Sequence, residues 1–247
     1  MVFFVFNMAL YGYLKKNPKK ITLRLFSKKQ ISFLFSVLGM ILIGNAVIPI
    51  VSYQFRYAPR FGRIISPLVY PKNGEPLSSI AALAKEEERD YTLISSWFDN
   101  SVNRLNTDRN KTAFYSISIP KLGIIRAKVE IGGEDLKQIL VHYNDTAFPG
   151  KLGNAVIFGH SVLPQFFNPE NYLTIFSTLY RLREGDEILV DFDGVSYRYL
   201  VEDLFEVSPK DLSVLEQRYS ERRLSLITCS PPGTYLRRLV VRAKLVD

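Results

Sequence analysis

The chain has 247 residues, of which 47% are hydrophobic and 23% charged, a composition that can bury a core and excludes a disordered chain. Its formal net charge of +8 is concentrated at one end, because residues 1–30 contain seven basic residues and no acidic ones. A nucleic-acid-binding domain carries its positive charge on the folded part, so this distribution argues against a nucleic-acid partner.

The first predicted element is an apolar span at residues 31–51, which contains no charged residue. About 20 apolar residues in a helix cross a hydrocarbon core of about 30 Å. The basic flank predicts that segment 1–30 is cytoplasmic, that residues 31–52 form one anchor in the plasma membrane, and that the remainder is extracellular. A cleaved signal peptide is the alternative, but its apolar region is typically about 7–15 residues long and ends at a small-residue cleavage site.

Residues 53–111 are predicted to form a linker and a helix. Four prolines within residues 54–76 indicate an extended linker. Residues 78–105 combine alanines, charged helix formers and an imperfect apolar stripe, a pattern that predicts a helix. This helix would be either a stalk or an element packed on the following domain.

From residue 112 onwards the hydrophobic pattern changes to the period of two that is typical of strands. Candidate strands lie at residues 115–119, 125–131, 154–158, 188–192, 195–199, 224–229 and 238–246. Asp193-Gly194 is a strong hairpin signal between two of them. We therefore predict a mainly β domain, closed or sandwiched, over residues 112–247, and no alternation with helices supports a parallel sheet.

The last predicted hairpin contains the most informative residues. Cys229, the single cysteine, ends one strand, and Arg238 begins the next, so antiparallel pairing brings them together. A guanidinium beside a thiol favours the thiolate and can donate to an oxyanion. A buried, inert cysteine is the plain alternative. Arg237 points to the opposite face, and the spacing alone does not decide which arginine faces the thiol.

A thiol nucleophile needs a base and later an acid, and histidine can serve as both. The chain has two histidines, His142 and His160. His160 follows Gly159 at the end of an apolar strand, in the kind of loop where catalytic residues occur. Either histidine could instead be structural.

Several segments, in order, resemble the motifs of the sortase family. Residues 225–229, Ser-Leu-Ile-Thr-Cys, resemble the signature Thr-Leu-x-Thr-Cys, and residues 238–241 resemble its Arg-(Leu/Phe)-Val-Val strand. Residues 156–160, Val-Ile-Phe-Gly-His, resemble the family's apolar strand ending in Gly-His. Further similar segments are Ile-Pro-Lys-Leu-Gly at 119–123, Ala-Phe-Pro-Gly at 147–150, and Phe-x-x-Leu-x-x-Leu-x-x-Gly-Asp at 176–186.

This resemblance implies an eight-stranded sortase-type β-barrel, preceded by an N-terminal transmembrane helix and a partly helical stalk. It implies that Cys229, His160 and Arg238 are catalytic, with Arg238 preferred over Arg237 because it precedes Leu-Val-Val. The residues to which it gives a substrate-groove or supporting role are His142, Thr228, Ser230 and Pro231. The pattern is closest to class C or class E sortases. No Asp-Pro pair occurs, so the lid of pilin-assembling members is not evident.

The implied function is that of a cysteine transpeptidase. It would cleave a Leu-Pro-x-Thr-Gly-like sorting signal on surface proteins and join the acyl group to an amine of a peptidoglycan precursor or a pilin subunit. No cofactor is implied; calcium sites occur in the family, but no carboxylate cluster here calls for one. The alternatives are a thiol hydrolase with the same triad and a membrane-tethered β-barrel binding module with an inert cysteine.

Overall fold

The computed structural model describes residues 28–61, 90–97 and 113–246. The predicted cytoplasmic segment, residues 1–30, lies almost entirely outside these described residues. So does most of the predicted linker and helix region, residues 53–111.

Helix α1, Lys28–Arg56, covers the predicted anchor and contains one proline, Pro49. It is long and apolar enough to cross a membrane, and most of its apolar side chains are exposed, as on a helix that faces lipid. The backbone divides into two compact units. The first, residues 1–43, contains the first part of α1, and the second, residues 44–247, begins within this helix.

The second unit is a closed barrel of eight strands. They are β1 (Phe114–Ile119), β2 (Ile124–Ile131), β3 (Leu140–His142), β4 (Gly153–Phe158), β5 (Glu187–Phe192), β6 (Val195–Val207), β7 (Arg222–Ser230) and β8 (Arg237–Val246). Their order around the barrel is β1-β2-β3-β4-β7-β8-β6-β5. The predicted eight-stranded β-barrel is therefore confirmed, and β3 is the strand that the hydrophobic pattern did not predict.

Two of the strand pairs, β2–β3 and β4–β7, are parallel. The sequence contained no alternation with helices that would support a parallel sheet, and these two parallel pairs occur within a barrel whose other pairs are antiparallel. Parallel strands need a long crossover connection, which is usually a helix, but here β4 reaches β7 by a connection that contains β5 and β6. Because β4 and β7 run in the same direction, their ends lie at the same edge of the sheet.

Strands β4 and β7 are apolar on both sides, and all six residues of β4 are buried. Alternate side chains enter two different clusters, as the period of two requires. Ile157 and Leu226 belong to the cluster inside the barrel, whereas Phe158 and Ile227 belong to a second cluster on the outside. Cys229 belongs to this outer cluster.

Residues 90–97 cover part of the outer cluster without forming the predicted α-helix. They contain a 3₁₀ turn at Ile94–Ser96 and a bridge between Leu93 and Asp135. The amide of Ile94 donates to the carbonyl of Glu134 (3.1 Å), and these bonds to the β2–β3 connection replace helical ones. The rest of the predicted helix, residues 78–105, lies outside the described residues.

Candidate active site

The thiol and the guanidinium face each other across the last hairpin. Cys229 of β7 pairs with Arg238 of β8, and the next pair is Ser230 with Arg237. Successive side chains of a strand point to opposite faces, so Cys229 and Arg238 share the outer face. Both are almost completely buried, each with 1% of its surface exposed.

The parallel pairing of β4 with β7 brings His160 to the same edge and face. Phe158 pairs with Ile227, both on the outer face, and two residues further along each strand lie His160 and Cys229. The amide of Gly159 continues the ladder with a 3.1 Å hydrogen bond to the carbonyl of Ile227. His160, two residues beyond the end of β4, therefore lies at the same edge and face as Cys229, and adjacent strands are about 5 Å apart.

Two hydroxyl groups attach the His160 turn to β7. Thr228 Oγ1 donates to the carbonyl of Gly159 (2.8 Å), and Ser161 Oγ donates to the carbonyl of Cys229 (3.1 Å). The resemblance gave Thr228 a supporting role, and the structure places its hydroxyl against the backbone of the turn that holds His160. Ser161 was not predicted, because a serine after a histidine has no distinctive pattern.

The residue before His160 must be glycine for steric reasons. A Cβ atom at Gly159 would lie 2.3 Å from the ring of Phe176 and 2.7 Å from Leu140. The His160 turn can therefore approach the core more closely than any residue with a side chain would allow. This close packing is the physical reason for a glycine before His160 in the Gly-His motif.

Aromatic residues of segment 90–97 cover the guanidinium. The Arg238 guanidinium carbon lies 4.7 Å from the centre of the Trp97 ring and 5.5 Å from that of Tyr91. Trp97 packs edge-on against Phe158, Tyr91 stacks on Tyr235, and the Trp97 indole donates to the Tyr91 carbonyl (2.7 Å). We name Tyr91 and Trp97 the aromatic cover. The sequence did not predict this cover. Trp97, the single tryptophan, was predicted only as part of the apolar face of a helix.

Part of the Arg238 guanidinium makes no hydrogen bond to the described residues. Its Nη1 donates to the carbonyls of Tyr235 (3.3 Å) and Arg237 (3.2 Å). Its Nε and Nη2 are buried without a hydrogen-bond partner among the described residues. A buried cation is costly, and contact with aromatic faces offsets part of that cost. The two remaining nitrogens can donate to an oxyanion near Cys229.

Burial shifts the pKa values of Cys229 and His160 in the directions that favour their neutral forms. Burial raises the pKa of the Cys229 thiol to about 11, against an opposing effect of the Arg238 charge. Burial lowers the pKa of His160. The charge of Asp90 raises this pKa by a smaller amount, and that of Lys137 lowers it slightly further. His160 Nδ1 is buried and has no partner within the described part of the chain. Burial therefore favours a thiol and a neutral imidazole over an ion pair.

The second histidine, His142, lies in a different environment. It is fully buried, with Nδ1 2.7 Å from the Tyr115 hydroxyl and Nε2 3.2 Å from the Thr146 hydroxyl. Thr146 donates its own proton to the Tyr143 carbonyl, so we assign the imidazole proton to Nε2. Burial lowers the pKa of His142 to about 4. These contacts are structural, and none involves Cys229.

Ser230 and Pro231, the remaining predicted site residues, lie beyond Cys229. Ser230 is buried on the inner face and hydrogen-bonds to Glu206 (2.5 Å). Pro231 accepts hydrogen bonds from the amide (2.9 Å) and hydroxyl (2.8 Å) of Thr234, which tighten the β7–β8 loop. Leu163 meets that loop, since a Cβ at Gly233 would lie 2.9 Å from it.

A separate open cavity of about 750 Å³ lies against β1, β2 and the β2–β3 connection. None of the predicted site residues lines it, so we assign it no catalytic role. Among residues 28–61, 90–97 and 113–246, no group of three His, Cys, Asp or Glu side chains could hold a metal ion.

Comparison with protein families gives a match over slightly more than half of the chain. The sequence model described as the Sortase domain matches residues 117–246. The chain is similar to the Clostridium perfringens sortase D5 transpeptidase structure (28% identity, 56% of this chain and 80% of that chain, TM-score 0.47). It is also similar to a lid mutant of Corynebacterium diphtheriae sortase A (31%, 58% and 75%, 0.49) and to Streptococcus agalactiae sortase C1 (29%, 59% and 72%, 0.48). No match was found among curated protein sequences.

Proposed function

Because this chain belongs to the sortase family, a family of cysteine transpeptidases, we propose that Cys229 is its nucleophile, His160 its acid and base, and Arg238 its oxyanion donor. The observation that supports these roles is the placement of all three residues on one face, at neighbouring ends of β4, β7 and β8. No other cysteine exists in the chain to act as an alternative nucleophile.

The proposed reaction has two acyl transfers. His160 takes the thiol proton as Cys229 attacks the Thr–Gly carbonyl of the sorting signal, and Arg238 donates to the resulting oxyanion. His160 then protonates the departing amine, which leaves a thioester on Cys229. An incoming amine loses its proton to His160 and attacks the thioester. The new amide bond forms, and the thiol is restored.

The substrate must displace the aromatic cover before this reaction can begin. The rings of Trp97 and Tyr91 lie against the Arg238 guanidinium, and Trp97 and Cys229 belong to the same buried cluster. A carbonyl that reaches Cys229 replaces these rings as the partner of the guanidinium. We infer that the covered arrangement is the resting state and that access requires segment 90–97 to move.

We further propose that α1 is a single membrane anchor with a cytoplasmic N-terminus, which leaves the barrel outside the plasma membrane. Sortases act on surface proteins that carry sorting signals and on amine acceptors, and we propose a peptidoglycan precursor or a pilin as the acceptor. We propose no cofactor, since each step uses groups of the chain itself.

The rival proposal is a hydrolase that transfers the acyl group to water. A sorting-signal peptide should be incubated with the full-length protein, with and without an amine acceptor, and the products identified by mass. A transpeptidase yields the amide product when the amine is present. Cys229→Ala should abolish cleavage in both conditions. Hydrolysis that is unaffected by the amine would support the hydrolase, and cleavage by Cys229→Ala would refute the role of the thiol.

A further inference from the structure

The strand ends that hold Cys229 and Arg238 have a second, inward face, and this face contains a buried carboxylate. Glu206 of β6 is only 3% exposed. Ser230 Oγ donates to its Oε1 (2.5 Å), and Arg237 Nη1 lies 3.1 Å from its Oε2. A buried carboxylate is stable only when it is paired and hydrogen-bonded, so these partners are required rather than incidental.

A residue of the apolar helix completes this network. Tyr53, in the last turn of α1, is 2% exposed, and its hydroxyl lies 2.8 Å from both Glu206 Oε1 and Ser230 Oγ. Its ring packs edge-on against Tyr180 with a 5.2 Å centroid distance. Tyr53 thus belongs to the core inside the barrel, unlike the exposed apolar residues earlier in α1. We name Tyr53, Glu206, Ser230 and Arg237 the barrel-end network.

The network and the reacting groups occupy opposite faces of the same backbone. Ser230 directly follows Cys229, and Arg237 directly precedes Arg238, in two successive cross-strand pairs. The third strand, β6, contributes Val207 opposite Arg238. Any displacement of Ser230 or Arg237 must move the neighbouring peptide units, because side chains on the two faces share them.

From this arrangement we infer that Tyr53 is a positioning residue for transpeptidation: it acts through Ser230 and Glu206 to hold the thiol of Cys229 against the guanidinium of Arg238. The inference rests on the proposed roles of Cys229 and Arg238. It makes the end of α1 a part of the catalytic domain as well as an anchor. Small errors in the placement of reacting groups reduce the rate of the chemical step more than the affinity for substrate.

Tyr53→Phe is the direct test, because it removes the hydroxyl and keeps the ring in the core. Full-length protein in detergent micelles should be assayed with a sorting-signal peptide and an amine acceptor. We expect kcat to fall about tenfold while the KM for the peptide stays within twofold of the wild-type value. The matched control is Tyr57→Phe, since Tyr57 packs on the same Tyr180 ring but its hydroxyl contacts neither Glu206 nor Ser230. This control should keep both constants within twofold.

Thermal unfolding separates positioning from loss of the fold. If Tyr53→Phe does not fold, Ser230→Ala removes the other hydroxyl of the network and should lower kcat in the same way. A folded Tyr53→Phe or Ser230→Ala protein with kcat within twofold of wild type would overturn the inference. Cys229→Ala identifies which proposal fails: residual activity in that variant refutes the nucleophile, whereas its inactivity beside a fully active Tyr53→Phe refutes only the positioning role.

Discussion

The guanidinium of Arg238 lies 4.7 Å from the centre of the Trp97 ring, so the cation proposed to bind an oxyanion rests against an aromatic face instead. Trp97 comes from a segment that precedes the barrel, and its backbone is held by the β2–β3 connection. Trp97 also belongs to the same buried outer cluster as Cys229. The site as a whole is therefore assembled but covered.

Removal of the Trp97 ring should make Cys229 reactive. Because burial raises the pKa of the thiol to about 11, few molecules carry a thiolate at neutral pH, and alkylation should accelerate as the pH rises. Trp97→Ala reduces that burial, so we expect the alkylation rate at pH 7.5 to increase about tenfold. Phe114→Ala, an exposed aromatic residue on β1, is the control and should not change the rate. A folded Trp97→Ala protein with the wild-type rate would contradict the covering role.

Arg238→Lys should separate the charge of the guanidinium from its geometry. Lysine keeps a cation near Cys229 but lacks the planar fork that can donate to an oxyanion. We expect kcat/KM for transpeptidation to fall about 10²- to 10³-fold, whereas the rate of thiol alkylation changes much less. Arg242→Lys, on the same face of β8, should retain near wild-type activity. Equal activity of Arg238→Lys and wild type would exclude the oxyanion role.

His142 should make the fold sensitive to acid. Its pKa is about 4 in the folded protein against 6.5 as the ordinary value, so the unfolded chain binds more protons between these pH values. Stability is therefore fully present above pH 6.5 and declines as the pH falls to 4, by about 3 kcal/mol. Denaturant unfolding at pH 7 and pH 4 measures this loss. His142→Gln should lose about 3 kcal/mol less than wild type between the two pH values, and an identical loss would refute the assignment.

Gly159→Ala should disturb the His160 turn by overpacking. The new Cβ would lie 2.3 Å from the Phe176 ring, so we expect a loss of about 1–3 kcal/mol in unfolding free energy and a reduced kcat. Phe176→Leu in the same protein makes room and should recover part of both quantities, which a double-mutant cycle measures. Gly39→Ala in α1 meets nothing within 4 Å and serves as the control. Independent, additive effects of the two substitutions would contradict the steric explanation.

Local patterns in the sequence were sufficient to predict most strands and the pairing of two site residues. Alternation of apolar and polar residues depends only on the period of a strand, and an Asp-Gly turn depends only on neighbouring residues. Together they predicted β5 and the first part of β6, which continues to Val207. The pairing of Cys229 with Arg238 belongs to the same class of inference, because a short loop joins the two strands. The roles given to these residues and to His160 came from the resemblance to sortases.

Tertiary structure decided what depends on contacts between distant segments. The parallel pairing of β4 with β7 sets His160 beside Cys229, and no local pattern specifies a partner so far along the chain. Trp97 was predicted to be helical, but hydrogen bonds with the β2–β3 connection outweigh the helix propensity of its segment. Tyr53 lay at the start of the predicted linker, whereas its burial in the barrel core and its hydrogen bond to Glu206 attach it to the barrel. Propensity acts between neighbours in sequence, whereas burial and charge pairing act between neighbours in space.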